Sequence, residues 1–593
     1  MEKEKTSNPL WNVLKTEWEF LGNKKKIFLV YMSFFAIAGI INLLTPLLIG
    51  SIFNSIQNNI SSETELNGLI FKIFLILAIT IGFWIFHGTG RIMEYLTGYQ
   101  VHRNYTNSKI RKILDLPVKW HKDNHSGDTI DKLERGRTAL FNFSGGTTYD
   151  IVYGVLSIFG SIFILFFIDK KIAIFTLVFA LATIFTIMKV DSKLHKYYKE
   201  LNKYSNKLSA SIYDYVSNTI TVITLRLKGT VADEIDSKLA ASYKTERTSS
   251  VLNEFKWGFA SVALSLMTVL VLSYKAYTDY HTNGIILIGT LYILYGYLDK
   301  VGESFFRFAG LYGALVRFDA RIRGAYPIDE AYALIEKKEG GKISPDWKNV
   351  EFKDVDFTYD KEGKKQHIDK VSIKFRRGEK VALIGESGSG KSTILALIRG
   401  LYEPDSGEVY VNGIKVENGF GKVRKKITLI PQDPEIFNNT LKYNITMDLP
   451  AKKEDVQKVI AMAQFGKVIE RLEKGLETSV MEKGVSLSGG EKQRLALARG
   501  LLAAKKSQIV LMDEPTSSVD SNNEMKIYDS IFSNFKDKTV ISSVHKLNLL
   551  EKFDYVYMFD RGKIIASGTF NELKKNPRFA SIWKKYITGR KEK

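Results

Sequence analysis

The chain has 593 residues, of which 45% are hydrophobic, and a formal net charge of +21. This length predicts at least two domains, and the absence of cysteine excludes disulfides, thiolate metal sites and a cysteine-protease domain. The positive charge could suit nucleic-acid binding, but the basic residues concentrate in particular loops, so we interpret it as membrane topology.

The first 20 residues are charged and aromatic. They have no apolar core and no small-residue cleavage site, so they are not typical of a signal peptide. We expect a helix at the membrane interface.

Six predominantly apolar runs of about 20 residues predict helices that cross a bilayer. Lysine and arginine are absent from 51–67 but numerous in 101–146 and in 191–256. Because basic loops stay on the cytoplasmic side, we expect the N-terminus and the C-terminal half to be cytoplasmic. The long loops should be helical, so that spans two to five continue beyond the membrane. The predicted spans are 27–50, 68–90, 147–168, 172–190, 257–275 and 283–303.

Polar groups inside the spans allow two interpretations. In the sixth span, Tyr292, Tyr295, Asp299 and Glu303 share one helical face. They could line a chamber for amphipathic or cationic cargo, because ionisable groups in a membrane normally face cavities or partners. Alternatively, the two acids lie at the cytoplasmic interface, paired with Lys300 or Arg307. The same two interpretations apply to His87, Arg91, Glu94 and Asp150, and none of these residues identifies a cargo.

The domain boundary is predicted after the last span. Residues 326–346 contain a proline, a glycine pair and a charge run, and we interpret them as a linker between domain 1–325 and domain 347–593. From Trp347 short strands alternate with helices, as in a phosphate-loop α/β domain.

The segment GESGSGKS at 385–392 fits the pattern G-x-x-x-x-G-K-[ST] and lies between an apolar run and a predicted helix. Backbone N–H groups and a lysine in such a loop surround phosphates. Lys391 should contact the β- and γ-phosphates, and Ser392 should bind Mg²⁺. The predicted nucleotide-binding residues here are Gly385, Glu386, Ser387, Gly388, Ser389, Gly390, Lys391, Ser392 and Thr393.

Two adjacent acids follow the apolar run IVLM. A buried parallel strand delivers a carboxylate to its C-terminal edge, so Asp513 is a candidate Mg²⁺ ligand. Glu514 points differently and suits a general base for the attacking water. The alternative for Glu514 is a helix-capping acid before Pro515.

The sequence LSGGEKQRLALARGLL at 487–502, after the phosphate loop and before the two acids, resembles the signature of ABC transporters. Nearly the whole chain resembles an ABC exporter half-transporter. The resemblance implies that Ser488, Gly489 and Gly490 contact the γ-phosphate of ATP held by the opposite subunit. A helix start is a good anion site, although a capping box between Ser488 and Glu491 also explains the serine. Glu491 replaces the usual glutamine.

Four further positions match the family in order. The resemblance implies that Tyr359 stacks on adenine, that Gln432 senses Mg²⁺ and the attacking water, and that His545 contacts the γ-phosphate. Asp520 ends a segment, SSVD, that resembles the loop joining the two ATP sites. The expected catalytic residues are Lys391, Glu514 and His545, and the expected Mg²⁺ residues are Ser392, Gln432 and Asp513.

Two loops of the first half, 116–128 and 211–225, resemble the intracellular loops of exporters. The resemblance implies short coupling helices that rest on the ATPase domains. The segment TSVMEKG resembles the exporter segment that touches such loops, with Met481 and Lys483 departing from the common residues and Glu482 keeping the acid.

The expected fold is a multidomain membrane protein, with an all-α six-helix transmembrane domain that has long cytoplasmic helical extensions, followed by an α/β P-loop ATPase domain. The resemblance implies a homodimeric, ATP- and Mg²⁺-dependent exporter of a hydrophobic, peptide-like or lipid-like compound in a prokaryotic plasma membrane. Half of a heterodimer and a lipid flippase stay open as alternatives. A soluble nucleic-acid ATPase fits the charge but not six apolar spans, so we expect no nucleic acid.

Overall fold

The computed structural model describes residues 8–335, 346–359, 366–417, 426–433, 435–480, 487–581 and 583. Its contacts divide the chain into two compact units. The first contains the described residues through Leu114 together with Ser126–Glu330. The second contains Asp115–His125 together with the described residues from Ala331 onward.

Long helices dominate the first half of the chain. Where the sequence is apolar over many turns, all backbone hydrogen bonds are satisfied within one segment, as a bilayer requires. In chain order the helices are α1 Pro9–Phe20, α2 Lys25–Gln57, α3 Glu63–Asp115, α4 Val118–Asp123, α5 Ser126–Ser144, α6 Thr148–Ile168, α7 Lys170–Ser217, α8 Thr219–Thr224, α9 Lys228–Ala240, α10 Tyr243–Asn283, α11 Ile288–Arg323 and α12 Tyr326–Ile335.

Within the described residues, five helical segments are long and apolar enough to cross a membrane: Gly22–Gln57, Glu63–Asp115, Thr148–Ile168, Lys170–Ser217 and Lys228–Thr282. They contain the first, second, fourth and fifth predicted spans, and all of the third except residue 147. At 1.5 Å per residue, the 53 residues of α3 extend about 80 Å, far more than the ~30 Å hydrocarbon core. The predicted extensions are therefore present in α3, α7 and α10, whereas the third span stops at a break over 145–147 that separates α5 from α6.

The sixth predicted span needs a correction at its start. The sequence predicts a start at 283, but α10 runs to Asn283 and ends at Gly284, whose φ of 68° is the left-handed conformation of a helix C-terminus. The next helix, α11, begins at Ile288. This helix packs among the long apolar helices through Leu294, Tyr297 and Val301. It also carries Asp299, Lys300 and Glu303, and it is not one of the five segments above.

The helices of the first unit approach each other closely where glycine faces a neighbour. A Cβ on Gly289 of α11 would lie 2.0 Å from the carbonyl oxygen of Gly50 on α2. A Cβ on Gly160 of α6 would lie 2.4 Å from Leu43 on α2. Small residues allow such contacts between membrane helices, so these positions fix the packing of α2 against α6 and α11.

The predicted linker begins with a helix. Its first ten residues form α12, in which Ile328 is buried and Asp329 pairs with Lys109 and Lys112 of α3. Lys109 is 3% exposed, and burial lowers its pKa, opposed by Asp329. Residues 336–345 of the linker lie outside the described residues. The exact domain boundaries stay a prediction.

The second unit contains two sheets. The strands are β1 Asn349–Phe357, β2 Ile368–Arg376, β3 Lys380–Gly385, β4 Ser406–Val411, β5 Ile414–Lys415, β6 Ile427–Ile430, β7 Ile509–Asp513, β8 Thr539–Ser543, β9 Tyr555–Asp560 and β10 Lys563–Gly568. One sheet has the order β2-β1-β4-β5 and is antiparallel. The other has the order β10-β9-β3-β8-β7-β6, and all its pairs are parallel except β10 with β9.

The parallel strands are apolar because both of their faces are covered. All six residues of β3 except Gly385, and the first four residues of β7, are buried. The covering helices include α13 Lys391–Arg399 and, further along the chain, Leu441–Thr446, Lys453–Met462, Gly466–Glu470, Gly489–Ala503, Ser521–Asn534 and Phe570–Leu573. Long apolar helices followed by an α/β domain thus agree with the expected fold class.

Candidate nucleotide site

The predicted phosphate loop connects β3 to α13. Gly388 and Gly390 have φ values of 76° and 109°, which L side chains rarely adopt. A Cβ on Gly385 would lie 2.3 Å from the carbonyl oxygen of Phe559. The glycines of this motif are therefore required by backbone conformation and close approach, which makes an ordinary turn a poor explanation of the sequence pattern.

Lys391 begins α13 and folds back over the loop. It is 4% exposed, and its Nζ donates to the carbonyl oxygens of Gly385 at 2.9 Å and Glu386 at 3.0 Å. Burial lowers the pKa of the ammonium group, while the charges of Glu514 and Asp513 oppose that shift. These bonds hold a cation beside the loop N–H groups, which is the arrangement that polyphosphate binding needs.

Oxygen atoms converge at the end of β7. Ser392 Oγ donates to Asp513 Oδ1 at 3.0 Å, and Ser543 Oγ donates to the same carboxylate oxygen at 2.7 Å. Carboxylate and hydroxyl oxygens are hard donors of the kind that Mg²⁺ prefers together with substrate phosphates. The predicted pair Asp513 and Ser392 thus lies together, and Ser543 is an addition that the sequence analysis missed.

Glu514 has an unusual backbone. Its φ is 44°, which is rare for a residue that carries a Cβ, and its N–H donates to Ser543 Oγ at 2.8 Å. The side chain accepts a hydrogen bond from Gln432 Nε2 at 2.9 Å through Oε2, and His545 Nε2 contacts Oε1. The capping alternative for Glu514 is not supported, because the following helix, Ser521–Asn534, is capped by Asp520.

Three residues that are far apart in the sequence therefore meet. Gln432 follows β6, Glu514 follows β7 and His545 follows β8, and these three strands are neighbours in the sheet. Because parallel strands end at the same edge, their following residues share one location. The sequence analysis named all three, and their catalytic roles stay predictions.

Gln493, which the sequence analysis did not name, holds the backbone that follows β7 through hydrogen bonds. Its Nε2 donates to Ser517 Oγ at 2.8 Å and to Glu514 O at 3.2 Å, and its Oε1 accepts the N–H of Ser518 at 2.8 Å. The side chain is 4% exposed, so these bonds are made away from water. Its place within the signature helix was the only sequence feature that could have indicated this role.

Tyr359, the expected adenine-stacking residue, lies in an aromatic group. Its ring packs edge-on against Tyr402 and His367 at 5.1 and 4.9 Å between centroids, and its hydroxyl donates to Thr393 Oγ1 at 3.3 Å. Lys122 of α4 places its Nζ 5.4 Å from the Tyr359 ring centroid and 5.3 Å from that of Tyr402. The sequence analysis did not name this lysine, although it lies in the predicted loop 116–128.

The signature segment begins the helix Gly489–Ala503. Ser488 is its N-cap, and its side chain and that of Glu491 form a capping box. A Cβ on Gly490 would lie 2.7 Å from Ser518 O, so this glycine is needed for contact with the SSVD segment. Asp520 caps the next helix by accepting the N–H of Asn523 at 2.9 Å. Glu482, Met481 and Lys483 lie outside the described residues.

The polar groups of the spans are mostly paired. Arg307 donates to Asp150 at 2.5 Å and to Glu303 at 2.8 Å. Arg91 pairs with the buried Glu94. These contacts favour the pairing interpretation for the acids concerned.

The remaining candidates differ. His87 stacks on Phe83 with 4.8 Å between ring centroids. Tyr295 and Asp299 are exposed along α11. These two residues still suit a surface that faces a chamber or a second subunit.

Two family models match the chain. The model of the ABC transporter transmembrane region matches residues 28–297, and the ABC transporter model matches residues 368–517. Together they cover more than half of the chain and one part of each structural unit.

Relatives and a solved structure agree with these matches. The chain is 28% identical to the β-(1→2)glucan export ATP-binding/permease protein of Rhodopseudomonas palustris over 79% of the chain and 77% of that protein. It is 25% identical to a multidrug resistance ABC transporter ATP-binding and permease protein of Lactococcus lactis, over 90% and 88%. A bacterial Atm1-family ABC exporter with ATP bound has the same fold, with a TM-score of 0.79, 21% identity and coverage of 95% of this chain and 99% of that chain. The chain therefore belongs to the ABC transporters, as an exporter-type half-transporter in which a transmembrane domain is joined to an ATP-hydrolysing domain.

Proposed function

We propose that two copies of this chain form an exporter that moves a hydrophobic, peptide-like or lipid-like compound out across the plasma membrane. The N-terminus and the ATPase domains lie in the cytoplasm, where ATP is available. The observation that carries the proposal is the convergence of Gln432, Glu514 and His545 beside Asp513 and the phosphate loop. A cassette of this kind, fused to apolar spanning helices, suits ATP-driven transport.

Residues at the end of β7 fit a magnesium ion. Ser392 and Asp513 supply the oxygen donors, and Gln432 donates a hydrogen bond to Glu514, the residue after Asp513. When bound, Mg²⁺ would neutralise charge on the β- and γ-phosphate oxygens. Lys391 adds a positive charge, and its ammonium is held by the carbonyl oxygens of Gly385 and Glu386.

Glu514 is proposed as the general base. A base must lie within hydrogen-bond reach of the water it activates and must be held in one orientation. Gln432 and His545 contact different oxygens of its carboxylate, and the bond from its own N–H to Ser543 fixes the backbone. The carboxylate is therefore oriented before ATP arrives, which reduces reorganisation during the reaction.

The signature is proposed to act on the ATP of the partner copy. Ser488 and Gly489 are exposed at a helix start, where the helix dipole favours an anion. Two ATP molecules would then be shared between two copies, and their binding would favour the closed state. Differential affinity of ATP for the two states is what drives the conformational change.

The intracellular loops are proposed to carry this closure to the membrane. The second loop ends in the short helix α8, and its apolar side chains are exposed, with Tyr213 70% and Ile220 82% exposed. Apolar groups so exposed on a loop are typical of a docking surface. A heterodimer or a lipid flippase would use the same elements.

Mixed dimers test the proposal. Lys391→Ala on one copy and Ser488→Arg on the other should disable one composite site and leave the second intact, so that part of the ATPase activity survives. Both changes on the same copy should disable both sites. Equal residual activity in the two arrangements would contradict composite sites, and the two purified single-variant homodimers serve as controls.

A further inference from the structure

The acid at position 491 has a cationic partner that the family resemblance did not indicate. Arg471 lies just after the helix Gly466–Glu470 and places a guanidinium nitrogen 2.6 Å from Glu491 Oε1. The Glu491 side chain is 10% exposed, whereas that of Arg471 is 53% exposed. The pair thus joins an almost buried carboxylate to a cation that reaches solvent.

The other oxygen of Glu491 is also engaged. Glu491 Oε2 accepts the N–H of Ser488 at 2.9 Å, and Ser488 Oγ accepts the N–H of Glu491 at 3.4 Å. Burial alone would raise the pKa of this carboxyl, but the Ser488 bonds and the Arg471 charge hold it below its usual value. Glu491 is therefore an anion in the first turn of the signature helix.

A carboxylate at this location competes with the function proposed for the helix start. The N–H groups and dipole of the helix attract an anion, and Glu491 already supplies one. If no cation neutralised Glu491, its negative charge would repel the phosphate of an incoming ATP. The repulsion would be substantial because the Glu491 side chain is 10% exposed, so water and salt screen its charge poorly. A bidentate-capable guanidinium is the side chain best suited to compensate a carboxylate.

We propose that Arg471 is a positioning residue for ATP hydrolysis, which neutralises Glu491 so that the signature of one copy can accept the phosphate of ATP held by the other. Arg471 acts through Glu491 and makes no contact with ATP itself. The proposal rests on the composite sites of the proposed function. It predicts that the chain needs Arg471 only because it has glutamate where related signatures have glutamine.

A double-mutant cycle tests the pair in the full-length dimer. Arg471→Ala should raise the KM for ATP about tenfold with little change in kcat, the effect of one uncompensated charge near a bound anion. The increase should shrink at high salt, because ions screen the repulsion. Arg471→Lys should keep most of the wild-type KM. Glu491→Gln alone should stay within about twofold of wild type, and Arg471→Ala combined with Glu491→Gln should do so as well.

The matched control is Lys505→Ala, which removes an exposed cation from an ion pair with the less exposed Asp455 in the same unit. It should leave KM unchanged. If the double variant is as defective as Arg471→Ala, Arg471 either contacts ATP directly or only stabilises its loop, and the proposal is wrong. An Arg471→Ala protein that does not fold would also contradict it unless Glu491→Gln restores folding and KM together.

Failure of the composite-site proposal gives a different pattern. Ser488→Arg should abolish ATPase activity if the signature acts on ATP. Full activity in that variant would contradict the composite site. If Ser488→Arg abolishes ATPase activity but Glu491→Gln does not restore the KM of Arg471→Ala, only the proposed role of Arg471 is contradicted.

Discussion

Replacing Glu514 by glutamine removes a negative charge and almost no volume. The amide oxygen can still accept from Gln432, and the amide nitrogen can face His545, so both contacts of the side chain have a counterpart. Glutamine also tolerates the backbone as well as glutamate does, since the φ of 44° strains either residue alike. We therefore expect the stability of the domain to change by less than about 1 kcal/mol.

The chemical step should change far more. Loss of a general base lowers turnover by about 10²- to 10⁴-fold, which corresponds to roughly 3–5 kcal/mol in the activation free energy. ATP binding should persist, because Lys391 and the phosphate loop are untouched. Purified Glu514→Gln protein should thus retain ATP in a stable complex while hydrolysing it at least about 100 times more slowly than wild type.

Glu551→Gln is the control, because it makes the same chemical change at a side chain that is 64% exposed. It should hydrolyse ATP at the wild-type rate. Near-normal turnover of Glu514→Gln would show that Glu514 is not the general base. Loss of ATP binding as well as turnover would mean that the side chain holds the site together rather than activating water.

Three further outcomes are expected. Tyr213→Ala with Asp214→Ala should leave a folded, ATP-binding protein whose ATPase activity no longer responds to cargo, and cargo stimulation that survives at normal expression would show that coupling runs elsewhere. Lys122→Gln should raise the KM for ATP about two- to fivefold, because it removes one cation–π contact with Tyr359, the expected adenine-stacking residue. Lys119→Gln on the same short helix should leave the KM unchanged, and identical effects of the two changes would refute a role for this contact. Asp329→Asn should destabilise the first unit by about 1–2 kcal/mol, less than a fully buried pair because Asp329 is 35% exposed, and an unchanged thermal midpoint would show that this ion pair contributes nothing.

The sequence predicted which residues meet near the phosphate loop better than it predicted the packing of the long helices, because each motif of the second half constrains the backbone. Gly388 and Gly390 have the positive φ values that only glycine adopts readily, so the pattern and the conformation have one cause. The position of Asp513 was predictable for a similar reason, because it ends a buried apolar strand. Ser543 and Gln493 were missed because their partners are 30 and 25 residues away in the chain and no local pattern marks them.

The membrane helices were located by apolarity, which gives position but not packing. The start of α11 was misplaced because 283–287 is apolar enough to continue a span, while Gly284 ends the preceding helix. Pairs such as Arg307 with Asp150 connect residues 157 positions apart, and helical periodicity cannot reveal them. Residue spacing in one chain also cannot show whether the signature contacts ATP of its own copy or of a second copy.

Transport itself can be measured in inverted membrane vesicles, which expose the ATPase domains to the medium. Vesicles that contain the wild-type protein should accumulate at least one compound from a labelled panel of hydrophobic, peptide-like and lipid-like molecules when ATP is added. Vesicles with Glu514→Gln at equal abundance should not. Uptake that is the same in both preparations, or ATP-driven loss of compound from preloaded vesicles, would contradict ATP-driven export by this chain.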